Sequence, residues 1–458
     1  MLIFYVVLAL VVVGGCIVLY KVNNQLHVTS LSVAIVIALL APWGVYSITA
    51  AISKDNDQTF YEYWNGSESS TSAIPMQCTR DGGCKHTYDC DPYLVTRVVT
   101  STDSKGKTSS HIVTSTEYHH CPYSNQETTY IINTTVGSFT AGDALMTGEQ
   151  FRGNMQIPGG KQTAPAMWVE AKNRIDSGNP SGATARHTYK NFILSADVTL
   201  FKTYSDKIDS LRSEGLLPTP VSDVQSLYKA NKVYLVGDTK VDAGAMNYQL
   251  TQLDAYVGSQ LSGDMHVVFV EASKAGDPTD YTNALKAYWS SEAVGKNAIA
   301  KNTVTLVVGV VQKDNKPVVG WATGFTGMPV GNEALIQDFS NLKDSPIEGN
   351  FIGAPKYDVS SKQYALSDGK VESMVTGEHK FARVSMSASD MKDNGSGFSY
   401  LSDSWHMKPE QLAVAIWISS ILNVIILAIG TLLSVNLGGS YPYRDPVRVF
   451  IKNIFSKN

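Results

Sequence analysis

Lys232-Val-Tyr-Leu-Val-Gly237, Met265-His-Val-Val-Phe-Val270 and Thr303-Val-Thr-Leu-Val-Val-Gly-Val-Val311 decide the fold. Each is a short apolar run, as expected of a strand covered on both faces. Between the first two lies Ala243–Leu261, with Met246, Leu250, Leu253, Val257 and Leu261 at helical spacing and Gly263 as a stop. Between the second and third, Pro278–Ala293 reads as a helix with Pro278 near its start, Asp280 in its first turn, and Leu285 and Trp289 on its buried side. The Asp314-Asn315 turn then leads into a strand over Pro317–Thr323, followed by Gly324-Phe325 and a helix from about Gly331 to Asn341. Lys232–Phe339 therefore predicts a βαβαββα unit with a largely parallel sheet.

Working outward, the 458-residue chain has room for two or three domains. Its net charge is -4 and no basic block precedes the last few residues, so the partners expected do not include nucleic acid. Leu2–Tyr20, Thr29–Ile52 and Ala413–Leu437 are each apolar, free of charge and about 20 residues long, which predicts three transmembrane helices. The first run lacks the basic start of a cleaved signal, so it is read as a retained span. Pro42 and Gly44 predict a kink in the second span, and Asn423 in the third is expected to bond a neighbouring helix. Arg444, Arg448, Lys452 and Lys457 follow the last span, and Lys21 and His27 lie between the first two. The positive-inside rule then puts the tail in the cytoplasm and Ser53–Lys408 outside, a multi-pass plasma-membrane arrangement.

The outer region begins with a polar connector, Ser53–Pro75. Cys78, Cys84, Cys90 and Cys121 form an even set on that side and predict two disulfides of unassigned connectivity. His86, His119 and His120 nearby allow a metal site instead, but the spacing is not that of structural zinc, and disulfides are preferred. Leu94–Ser101 and Ser109–Tyr118 read as a hairpin, with Thr128–Val136 as a third strand. Asn65, Asn133 and Asn394 open Asn-x-Ser/Thr sequons. Residues 141–229 read as a loop-rich segment with a helix ending on Gly215 and a Pro-rich linker, and 346–408 as a β-rich return to the membrane.

The central unit resembles the TPM domain, a small α/β/α fold on the non-cytoplasmic side of membranes. The resemblance rests on Met265–Val270, the Asp280-Tyr281 to Trp289 helix, Asn302 before the long strand, and the hairpin running into Gly324-Phe325. It covers residues 230–345, about a quarter of the chain. The family's usual acidic residue before that asparagine is Lys301 here, the glycine after it is Thr303, and the second glycine of its Gly-x-Gly is Thr326. The resemblance implies an assembly or accessory role, or a calcium-binding or weakly phosphatase-like domain. Calcium, the cofactor it allows, needs several oxygen ligands. Asp238, Asp242, Asp277, Asp280 and Asn302 would supply them if they converged at one end of the sheet. The alternative, which is favoured, has Asp277 and Asp280 serving a helix start and the others in solvated loops.

No Gly-x-Ser-x-Gly elbow, His-Glu-x-x-His pair or Walker loop occurs. His266 reads as a satisfied core histidine. The expected fold class is thus an α+β membrane protein: three transmembrane helices, a β-rich disulfide module outside the cytoplasm, and a TPM-like α/β/α domain. The expected function is non-catalytic, as an envelope assembly, scaffold or accessory subunit. Its expected partners are membrane lipid and other membrane or envelope proteins, with a homo-oligomer left open. The alternative is a calcium-dependent phosphatase-type hydrolase.

Overall fold

The computed structural model describes residues 28–82, 87–102, 108–122, 126–141, 164–193, 204–220, 231–291, 294, 298–328, 330–384 and 398–438. The run Leu2–Tyr20 and the basic tail after residue 438 lie outside them. The chain divides into two compact units: Met1–Phe60, Tyr189–Leu200 and Met386–Asn458 form one, and Tyr61–Thr188 with Phe201–Ser385 forms the other.

In the first unit, α1 (Val28–Gln58) is the first of two helices among the described residues that are long and apolar enough to cross a bilayer. It continues past the apolar run, through Ser53–Gln58, where a polar connector was expected. The extension is held by side chains: the Asp57 carboxylate accepts from Trp405 Nε1 and Gln411 Nε2, both at 3.0 Å. The second such helix, Pro409–Gly438, packs against α1 through Tyr46, Leu412, Ala415 and Ile416. Asn423 is fully buried, and its amide has no partner among the described residues, so the expected interhelical bond is not made among them.

The second unit opens with strands β1 (Thr59–Gln77), β2 (Thr87–Thr102), β3 (Thr108–Pro122), β4 (Gln126–Thr134) and β5 (Gly137–Ala141). Helix α2 (Ala166–Asp176) and strand β6 (Gly182–Lys190) follow. One sheet has the order β5-β4-β1-β6. β1 is therefore an interior strand, paired antiparallel with β4 from Thr71↔Ile132 to Gln77↔Gln126. Local composition had suggested a connector there, but pairing on both edges satisfies its backbone as a strand. β2 and β3 form a separate hairpin in the expected register, Ser101↔Ser109, with both strands longer than predicted. The expected third strand (β4) pairs with β1 and not with the hairpin.

Next come α3 (Ser205–Ser213), β7 (Val233–Val236), α4 (Ala243–Leu261), β8 (Asp264–Glu271), α5 (Ala272–Ala275), α6 (Pro278–Trp289), β9 (Thr303–Lys313) and β10 (Lys316–Thr326). β7, β8 and β9 are parallel, β10 runs antiparallel to β9, and the order is β10-β9-β8-β7. Helices cover both faces. Met246, Leu250, Leu253 and Val257 of α4 pack on Met265, Val267, Phe269, Val304 and Leu306. Tyr281, Leu285 and Trp289 of α6 pack on Tyr234, Val268, Val270 and Val307. The Trp289 indole donates to Pro218 O at 2.7 Å, which satisfies the one polar atom of a fully buried ring.

α7 (Glu333–Asp338) ends in a 3-10 turn, Phe339–Leu342. β11 (Lys356–Asp358) and β12 (Gln363–Ala365) are only three residues each, and α8 (Lys370–Thr376) follows. The described part of the return segment therefore holds less β structure than expected, and a helix in its place. Glu372 accepts from Ser367 N and Gly369 N, which starts a helix inside the segment expected to be β-rich. Val371 and Val375, one helical turn apart, then enter the first core.

Candidate functional site

A cluster of ionisable groups is buried inside the protein. Lys232 precedes β7, Asp254 sits mid-way along α4, and Asp264 opens β8. All three are almost fully buried. The Lys232 ammonium donates to Asp254 Oδ2 at 2.7 Å and also to Asp264 Oδ1. The second oxygen of Asp254 accepts from Met265 N at 2.8 Å. The second oxygen of Asp264 lies 3.4 Å from His266 Nε2, and the other ring nitrogen of His266 is 3.2 Å from the Tyr234 hydroxyl. His266 is thus the partnered core histidine the sequence suggested.

β1 closes this cluster. Asn65 donates from one amide nitrogen to Asp254 Oδ2 at 2.5 Å and to Asp264 Oδ1 at 3.2 Å, while its oxygen accepts from Thr184 Oγ1 at 2.6 Å. Beside it, Asn302 donates to Tyr63 O at 2.8 Å and Ser262 O at 3.2 Å. Gly258 permits the approach: a Cβ there would stand 2.1 Å from Asn65 O and 2.4 Å from Asn65 N. The N-terminal end of the parallel sheet is therefore joined to β1 by side-chain amides, carboxylates and a glycine contact.

Burial sets the electrostatics. It pushes Asp254 up to about 6, against the opposing pull of Lys232. Asp264 is pushed up by burial too, but Lys232 and then His266 outweigh that and hold it well below the usual carboxylate range. Burial alone would lower Lys232, but the charges of Asp254 and Asp264 win and hold it protonated.

Two further buried carboxylates lie on β1. Glu68 accepts from Arg174 Nε at 3.0 Å, Arg174 Nη2 at 2.7 Å and Ser181 N at 2.9 Å. Glu62 receives a forked pair from Arg383, with Nη2 at 2.6 Å and Nε at 3.1 Å.

The five acidic-site residues are not brought together. Asp238 and Asp242 follow β7, and Asp277 and Asp280 follow β8, so all four stand beyond the C-terminal ends of parallel strands. Asn302 precedes β9 and lies at the opposite end of the sheet. Asp242 accepts from Ala245 N at 3.0 Å and Asp277 from Asp280 N at 2.9 Å, each capping a helix. Asp280 pairs with Lys207, and Asp238 with Lys240 at 2.9 Å. Of the cysteines, Cys90 is bonded to Cys121, and Cys78 is also in a disulfide. Cys84 and His86 lie outside the described residues. Among those described, the one metal-sized group is Cys90, Asp91 and Cys121, and its two sulfurs are the disulfide. His119 pairs with Asp81 at 2.5 Å. The Asn65 sequon is spent on the buried cluster, and Asn394 lies outside the described residues.

No protein-family model, curated protein or solved structure matches the chain. Sequence reading missed Lys232, Asp254 and Asp264. The available signal was three charges set directly against apolar strands and a helix stripe, where a charge is kept only with a partner.

Proposed function

We propose that this chain is a multi-pass protein of the plasma membrane, with its large TPM-like part outside the cytoplasm. It acts there without catalysis, as an envelope assembly, scaffold or accessory subunit. One observation carries this reading: the strongest charge cluster is consumed in joining β1 to the α/β sheet, and β1 begins at the residue after the apolar helix α1. Such a joint makes a firm mount for a binding surface and offers a substrate no access. The flanking cations Lys21, Arg444, Arg448 and Lys452 support the orientation.

The β2–β3 hairpin supports a contact role. Leu94, Val98 and Ile112 are 73%, 66% and 71% exposed on one face, alongside Thr96 and Thr114. Apolar groups displayed on a two-stranded ribbon suit association with another protein.

Turnover of p-nitrophenyl phosphate by the purified full-length protein, with and without calcium, tests the reading. The expected result is no turnover above background and no calcium-dependent shift in melting. Calcium-dependent turnover that disappears in both Asp238→Ala and Asp280→Ala would establish the hydrolase alternative instead.

A further inference from the structure

Two carboxylates share one ammonium in a space closed to water. With both ionised, Lys232, Asp254 and Asp264 together carry one net negative charge. The groups facing Asp254 among the described residues are Lys232 ahead of β7, Asp264 and Met265 N on β8, and Asn65 on β1. His266 and, through it, Tyr234 face Asp264, while Thr184 of β6 holds Asn65. None of these supplies a second positive charge without itself taking a proton.

We propose that the Asp254–Asp264 pair is a proton-binding site, which takes up one proton in mild acid and makes the folded domain more stable in that state. The proton resides on Asp254, since Asp264 has both Lys232 and His266 to keep it ionised. Its arrival leaves one carboxylate facing one ammonium and removes the repulsion between two buried anions. Burial already raises Asp254 to about 6. A carboxylate raised in the folded state binds more protons than its unfolded form, ordinarily near 3.9. Its contribution to stability therefore grows as pH falls through that interval and is lost as pH rises. Asp264, held low, works in the opposite sense, and its stabilisation is lost once pH drops below the ordinary carboxylate range.

The test is denaturant unfolding of the full chain in detergent, together with infrared spectra of its carboxyl groups, from about pH 7.5 to about pH 5. The unfolding equilibrium constant is expected to fall about tenfold over this range. A carbonyl band of a neutral, buried carboxylic acid should grow in step. Asp254→Asn should lose both the band and the pH dependence. A wild-type protein whose stability stays flat or falls, or whose spectrum gains no such band, would overturn the proposal. So would an Asp254→Asn protein that retained the band. If that variant does not fold, the infrared titration of the wild type decides alone.

Discussion

Lys232→Met is expected to destabilise the α/β domain by about 3–5 kcal/mol at neutral pH. That is a large part of the roughly 5–15 kcal/mol by which ordinary domains are held. Methionine fills nearly the same space, so the effect is electrostatic. Lys232 is the partner of Asp254 at 2.7 Å and also pairs with Asp264, in a region that excludes solvent. Without it, two carboxylates face each other with an amide and a histidine for company. Denaturant unfolding of the full-length protein measures the loss. Adding Asp254→Asn and Asp264→Asn to the methionine variant should restore most of it, because the buried charges are then gone. A Lys232→Met protein within about 1 kcal/mol of wild type would show that the cluster is hydrated and worth no more than a surface pair.

Arg174→Ala is the second large effect expected. The Glu68 side chain is fully buried, and two of its three contacts come from Arg174. Removing the guanidinium leaves a buried carboxylate held by Ser181 N alone, at a cost of about 3 kcal/mol or more. The loss should be local. β4, β5 and the part of β1 paired with them, Thr71–Gln77, should open, while Tyr63–Glu68 of β1 keep the protection of β8 and β9. Arg174→Met combined with Glu68→Met should recover most of the lost stability. The two substitutions thus test different faces of β1: its hold on the α/β sheet and its hold on α2.

Legibility in the sequence followed the range of the interactions. β9 declares itself because both faces of Thr303–Val310 are buried, so that stretch is nearly all apolar. α6 could be placed from Pro278 and Asp277, which fix the first turn by local chemistry. β1 was hidden, because Thr59–Gln77 owes its conformation to β4 and β6 and not to its own composition. The helix Lys370–Thr376 was read as strand because Val371 and Val375 show only two points of a helical period. The central cluster was the least visible. Asn65 lies 189 positions from Asp254, and the sequon it opens is a better-known signal than a buried amide. The resemblance implies Asp238, Asp242, Asp277, Asp280 and Asn302 as cation ligands only if they converge. The helix caps and lysine partners of the four aspartates show how ordinary local roles can imitate a cation site.

Hydrogen exchange of the full-length protein, read peptide by peptide, tests most directly the claim that β1 and the α/β sheet are one joined structure. The amides of Tyr63–Glu68 are predicted to open only with those of β8 and β9, at the same denaturant concentration, because Asn65, Asn302 and Gly258 tie them together. Exchange of Tyr63–Glu68 at low denaturant, with β8 and β9 still protected, would contradict it.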